Sequence, residues 1–518
     1  MVSDFNKGME KNIFSELKDL LRFSKVGFEK ESLRVINSSI SQHPHPESLG
    51  SALCNDYITT DFSEAQLELV TPPLNNKIKG LNFLEDIHHF VSCNIEDEIL
   101  WPFSMPTVIN KDTDIPIANY GSSNLGLFKR TYREGLSHRY SRMMQTISGI
   151  HYNYSVPETL WQRPLLKKMS ENSIEVRSSA YFNMLRNISR INWLILYLFG
   201  ASPIITRSFI TKGSQSLKQL DNQTFYLPYA TSLRMSDFGY CNISRNKLQV
   251  SMNSLQEYVS DLRKATNTSL DEFATIDTIN TKLQKQINEN VLQIDDEYYA
   301  VARAKSKTIS EQRTTSKLSQ GGVDYIELRS LDLNPYSRIG IDKETVLFLE
   351  TLLTYCFIKQ GQNFTNDEIR NINHNDSLVA EKGRESKLCL LKNGEKTSLK
   401  DWGKEIIDNL LQIAAVLDSD KMQYTNAIEL MRTKINDPNL TLSGRFLDEI
   451  LSKNLSFVDF GNTIGESNKT YYINLEKSKN INWGLLEKES IDSHNQQKVL
   501  EMDDRQSFKT FVEDYIRY

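Results

Sequence analysis

Four short stretches, far apart along the chain, place charged or imidazole side chains at alternate positions of strand-like sequence. They constrain the fold more than any other feature. They are 27–34 (GFEKESLR), the span from Thr60 and Asp61 to Glu68, 151–154 (HYNY) and 324–329 (DYIELR). Successive strand side chains point to opposite faces. Glu29 and Glu31 therefore share a face, as do Tyr325, Glu327 and Arg329. His151 shares one with Asn153 and Ser155, opposite Ile150, Tyr152 and Tyr154. A face carrying several carboxylates, a histidine and an arginine is not an ordinary core, because unpaired buried charge costs too much. It suits divalent cations and phosphate: carboxylates hold magnesium, magnesium bridges phosphate oxygens and arginine neutralises the remainder.

Composition narrows the alternatives. The 518 residues set a soft prior of several domains or one large domain with insertions. A hydrophobic content of 39% is enough for a sizeable core. With 61 basic and 66 acidic residues the net charge of −5 argues against nucleic-acid binding. No basic segment followed by an apolar stretch opens the chain, so no signal peptide is expected. The most apolar run, 193–199, is too short to span a bilayer. Five scattered cysteines without CxxC spacing point to reduced thiols and a cytoplasmic protein, not to disulfides or zinc.

The first 340 residues read as mixed α and β, and 341–518 as a mostly helical portion that is either separate or integral to the same domain. Helices are expected at 9–22, 77–94 and 175–199, the last closed by Gly200 and Pro203. Strands are expected at 27–35 and 64–71, and loops across the Pro-, Gly- and Ser-rich 100–130. Clustered tyrosines and basic residues at 223–245 and 290–303 have no regular pattern. Further helices fit 343–360, a segment around 402–413, and 441–454, with the polar stretch 361–385 read as surface loop.

Neither common phosphate-binding glycine loop is present; 121–129 (GSSNLGLFK) misplaces the lysine of a Walker loop. Each candidate also has an ordinary reading. Glu29 and Glu31 could be solvated charges, Asp61 could end a turn and His151 could be structural. Glu327 and Arg329 could be a same-face ion pair. Glu68 stands out because Leu67 and Leu69 mark a buried opposite face. A second group, Tyr132, Arg133, Arg234, Tyr240, Tyr299 and Arg303, could form an amino-acid pocket, with guanidinium for carboxylate and tyrosine hydroxyls for polar atoms.

The strings GFEKESLRV, TTDFSEAQLELVTP, TYREGLSHRY, MMQTISGIHYNYS, LFGASP, LPYATSLRMSDFGY, LQIDDEYYA and GGVDYIELRSLDLNP closely resemble proteobacterial-type glutamate–cysteine ligases. They run collinearly through 27–335, and the likeness loosens after 360. One departure is 299–305 (YAVARAK), where that family usually has prolines. The resemblance implies an α+β fold like that of glutamine synthetase, a curved and mainly antiparallel sheet with surrounding helices. It also implies that Glu29, Glu31, Asp61, Glu68, His151 and Glu327 are metal ligands. Arg329 and Arg133 then meet phosphate or substrate carboxylate, while Tyr132, Arg234, Tyr240, Tyr299 and Arg303 form the substrate pocket.

The activity implied is ATP-dependent joining of the glutamate γ-carboxylate to the cysteine amine through an acyl phosphate, the first step of glutathione biosynthesis. Its catalytic residues would be Arg329, Glu327 and Asp61, the last as proton acceptor. Magnesium, replaceable by manganese, is the expected metal. ATP, L-glutamate and L-cysteine are the expected small-molecule partners, with glutathione as feedback inhibitor, no nucleic acid or membrane partner, and a monomeric enzyme. The rival readings are a ligase using another amine, a guanidino kinase, an inactive ATP or amino-acid sensor, and a metal-dependent phosphohydrolase.

Overall fold

The strand at the centre of the molecule is β1 (Lys25–Ile36), in which Val26 and Phe28 are fully buried. The computed structural model describes residues 23–517 except 163–172, 211–215, 240–247, 280–283, 308–311 and 419–420. The expected helix at 9–22 therefore lies outside the described residues. The remaining principal strands are β2 (Ile58–Thr60), β3 (Gln66–Val70), β4 (Ile150–Ser155), β5 (Ala302–Lys305) and β6 (Tyr325–Leu331). They form one sheet in the order β5-β6-β4-β1-β3-β2, and every adjacent pair is antiparallel. Two short strands, Ser39–Ile40 and Ile99–Leu100, add to the far end of β1.

Helix α1 (Lys77–Ser92) begins at Asn76, whose side chain accepts the Lys79 amide, and covers the face bearing Phe28. The approach is close at Gly80, where an added Cβ would lie 3.1 Å from the Phe28 ring. α2 (Asn124–Tyr140) starts at a Ser123 cap, so residues 124–130 are helix and not the loop expected from their glycine-rich surroundings. The long α3 (Ser173–Phe199) packs against β6 and against α4 (Lys343–Ile358).

The polar 361–385 segment is also corrected. It contains α5 (Asn366–Lys382), capped by Thr365, whose hydroxyl accepts the Glu368 amide. Only a narrow stripe is buried there, including Asn375, Val379 and Ala380, and it docks on α3. Among the described residues six more α-helices follow: α6 (Leu399–Leu417), α7 (Gln423–Asn436), α8 (Leu442–Ser452), α9 (Phe457–Ile473), α10 (Trp483–Asp503) and α11 (Phe508–Arg517). Residues from both sides of position 340 share the largest hydrophobic cluster: Leu185, Leu194 and Leu328 meet Leu349, Leu353 and Leu410 there. Among the described residues, no helix is long and apolar enough to cross a membrane, and Cys54, Cys93, Cys356 and Cys389 are free thiols.

Candidate active site

Sheet register assembles the charged face. Glu29 on β1 stands opposite His151 on β4, and Glu31 opposite Glu68 on β3. Glu327 on β6 stands opposite Asn153 on one side and Arg303 on the other. Residues opposite one another in antiparallel strands share a face, so segments separated by up to about 300 residues converge on one patch. His151 Nδ1 lies 3.1 Å from Glu29 Oε2 and 3.8 Å from Glu327 Oε1, while its Nε2 lies 3.4 Å from Glu31 Oε1. Asn153 donates to Glu29 at 2.6 Å, and the Gly149 amide donates to Glu31 at 2.8 Å.

Cations complete the floor. Arg329 Nη1 is 3.1 Å from Glu327 Oε2, and Lys305 Nζ is 3.4 Å from Glu327 Oε1. Burial would raise the Glu327 carboxyl, but Lys305, Arg329 and His151 hold it well below the usual carboxylate range. Burial opposes Glu29 in the same way, and its hydrogen bond with His151 brings it below the ordinary value. Glu31 is raised by burial. Glu68 is raised furthest, by burial and then by the neighbouring Glu29, Asp61, Glu31 and Glu327. This excess of negative charge, with one imidazole among the oxygens, fits a hard divalent ion. Glu29, His151 and Glu327 each offer a ligand atom within 4.8 Å of the others.

The patch floors a cleft of about 330 Å³. All of the expected metal-group residues line it: Glu29, Glu31, Asp61, Glu68, His151 and Glu327. Arg329, Tyr132, Arg133, Tyr299 and Arg303 line it too. Tyr132 and Arg133 arrive on α2. The Arg133 guanidinium sits 4.7 Å above the Tyr120 ring and donates to the Asp61 carbonyl. Tyr120 donates from its hydroxyl to the carbonyls of Thr60 and Asp61, 2.8 Å each, so Asp61 is held from two sides. Arg303 donates to the carbonyls of Asp296 and Tyr298.

Arg234 is not among the residues lining this cleft. It is 1% exposed, 3.7 Å from Asp332, and donates to the Arg329 carbonyl at 3.0 Å. It backs the site instead of lining the cleft. Tyr240 lies outside the described residues. Sequence reasoning passed over Lys305, Asp296, Glu297 and Gln145, which also line the cleft. Lys305 had a legible signal, since it sits two positions from Arg303 on a strand and shares its face.

A model of the glutamate-cysteine ligase family matches residues 11–379. The chain belongs to the glutamate–cysteine ligase family. Among its relatives, the glutamate–cysteine ligase of Alcanivorax borkumensis is 38% identical over 500 residues, covering 94% of this chain and 95% of that one. The Pseudomonas putida KT2440 ligase is 42% identical over 447 residues, 85% of each chain. The crystal structure of the Francisella tularensis glutamate–cysteine ligase in complex with AMP superposes with a TM-score of 0.89 at 33% identity, covering 95% of this ligase and 97% of that chain. A bifunctional glutathione synthetase from Pasteurella multocida, 24% identical, shares the fold with a TM-score of 0.71 over 93% of this chain and 57% of its own.

Proposed function

We propose that the enzyme joins the γ-carboxylate of L-glutamate to the amine of L-cysteine at the expense of ATP, giving γ-L-glutamyl-L-cysteine, ADP and phosphate. The observation that carries this reading is the convergence of Glu29, Glu31, Glu68, His151 and Glu327 with Arg329 on the floor of a cleft walled by Tyr132, Arg133 and Tyr299.

A carboxylate is a poor electrophile and must be activated. The γ-carboxylate oxygen of glutamate takes the γ-phosphoryl group of ATP, and ADP leaves. The cysteine nitrogen then attacks the acyl carbon, and phosphate leaves. Positioning and charge neutralisation do most of this work. Glu29, Glu31, Asp61, Glu68, His151 and Glu327 would hold divalent ions, magnesium or in its place manganese, whose bound charge would offset that of the phosphates. Arg329 stabilises the transferred phosphoryl group. Glu327 and Lys305 fix the Arg329 and metal-ligand geometry through their ion pairs. Arg133 and Arg303 pair with substrate carboxylate, Tyr132 and Tyr299 shape the acceptor pocket, and Asp61 accepts the amine proton. Arg234 acts through Arg329 and Gly149. The same reading has a cytoplasmic monomer, with glutathione competing for the cleft because it contains the product's own γ-glutamylcysteine unit.

The test is phosphate release from Mg-ATP with L-glutamate, with and without L-cysteine, with dipeptide measured by mass spectrometry. Release that needs both amino acids, at one dipeptide per phosphate, is expected. Release without either amino acid would point to a phosphohydrolase.

A further inference from the structure

Tyr120 is 1% exposed and is not among the residues lining the cleft. It belongs to the stretch that leads into α2, and that stretch lies along the turn between β2 and β3. Ser63 and Ile117 form an antiparallel bridge, the Ala118 amide donates to the Phe62 carbonyl at 3.0 Å, and the Asn119 amide donates to Glu64 at 2.6 Å. The Tyr120 hydroxyl reaches the carbonyls of Thr60 and Asp61, 2.8 Å from each, and shares its one proton between them. On its other side Tyr120 meets α2. Gly126, Lys129 and Arg133 follow one another at three and four residues, so they share one face of that helix. An added Cβ on Gly126 would strike the Tyr120 carbonyl. The Lys129 amine and the Arg133 guanidinium lie 5.2 and 4.7 Å from the centre of the Tyr120 ring.

These contacts close a triangle. Arg133 Nε donates to the Asp61 carbonyl, the same oxygen that the Tyr120 hydroxyl reaches, and its guanidinium rests on the ring of that tyrosine. Its Nη1 donates to the Lys129 carbonyl at 3.1 Å, which leaves Nη2 for a ligand in the cleft. A long, rotamer-rich side chain is costly to hold still, and an aromatic face offers a guanidinium a fixed seat. A misplacement of about 1 Å in a working group can cost about 10²-fold in rate. The geometry points to Tyr120 as a positioning residue of the ligase, fixing Asp61 through its hydroxyl and Arg133 through its ring. It sets the spacing between the metal face and the seat of a substrate carboxylate without touching either ligand. The inference rests on the roles proposed above for Asp61 and Arg133, and it gives one side chain two separable tasks.

Tyr120→Phe keeps the ring and removes the hydroxyl. In the full-length enzyme it should weaken manganese binding, read by titration calorimetry without substrates, and lower kcat, each roughly three- to tenfold. The KM for L-glutamate and for L-cysteine should hold. Tyr120→Leu removes the ring as well, and should also raise the KM for the amino acid that Arg133 binds, roughly three- to tenfold. Both variants are then repeated on an Arg133→Met background. Without the guanidinium the ring has nothing to seat, so Tyr120→Leu and Tyr120→Phe should there share one KM. A merely structural role would lower the Tm and the active fraction, but would not split KM from kcat between the two variants. Manganese affinity and kcat undiminished in Tyr120→Phe, or a KM rise in Tyr120→Leu that persists in full without Arg133, overturns the assignment. If Arg133→Met alone leaves both KM values at the parent's level, the role proposed for Arg133 falls and the ring's task with it. The manganese titration of Tyr120→Phe still decides the hydroxyl's task, and it is readable even where Tyr120→Leu fails to fold.

Discussion

His151 stands directly across from Glu29 in the pairing of β4 with β1, and its Nδ1 lies 3.1 Å from Glu29 Oε2. This cross-strand pair thus joins a carboxylate to an imidazole, and a second carboxylate, Glu327, lies 3.8 Å from the same nitrogen. The site is a property of strand register, so changes that spare the register but alter single charges should separate chemistry from folding.

Arg329 is the first such change. It pairs with Glu327 and lines the cleft. Arg329→Met should lower kcat about 10²- to 10³-fold, or ~2.7–4 kcal/mol of transition-state stabilisation. The KM for ATP should move much less. Steady-state kinetics on all three substrates make the distinction.

Glu68 should govern how the metal-free protein responds to pH. Its folded-state pKa lies well above the ordinary value, from burial and the surrounding carboxylates. Between the unfolded and folded values the native state binds more protons than the unfolded chain, so stability attributable to this group falls as pH rises. In chelator, Glu68→Gln should be more stable than the parent at pH 8, and the difference should vanish near pH 4. Magnesium should stabilise the parent more than the variant. Thermal melts across that range check both signs.

Gly149 holds a narrower constraint. Its amide donates to Glu31, and a Cβ built there would lie 2.1 Å from the Arg234 Nη2. Arg234 is buried and anchored to the Arg329 carbonyl and Asp332. Gly149→Ala should displace it, costing ~1–3 kcal/mol of stability and weakening manganese binding. Titration calorimetry with manganese and a melt would show the two effects together.

The C-terminal helix should tune the acceptor wall. α11 packs against α2, where the Tyr515 and Phe128 ring centroids are 4.5 Å apart and Val512 is fully buried. Asn124 at the start of α2 is bonded to Asp504. α2 carries Tyr132 and Arg133, so Val512→Asp should raise the KM for the amino-acid substrates about tenfold, ~1.4 kcal/mol. The KM for ATP should stay nearly constant. Val512→Ile should behave as the parent.

The strands of the site were legible because alternation is local: Glu29 with Glu31 and Glu327 with Arg329 need only the two-residue period. Which strand neighbours which was not, since the pairing of Glu31 with Glu68 or Glu29 with His151 depends on long-range packing and not on either segment. The resemblance to a known family grouped those segments, while the neighbour order came only from the fold. Helix α5 was missed for a physical reason. Its buried stripe is narrow and partly polar, including Asn375 and Asp376, so the hydrophobic period is faint. The usable signal was the cap, Thr365 with Glu368 three positions on. The position of Arg234 was not legible, because a guanidinium in a tyrosine-rich segment looks the same in sequence whether it lines a cleft or braces it from behind.

The most direct test of the carboxylate face is Glu327→Gln, which keeps the shape and removes one negative charge. γ-Glutamylcysteine formation should be followed across a magnesium series, with a melt and circular dichroism on the same preparation. The account predicts a folded protein whose turnover has fallen about 10³-fold, ~4 kcal/mol, and is not restored by more magnesium. Near-normal turnover at ordinary magnesium would contradict it.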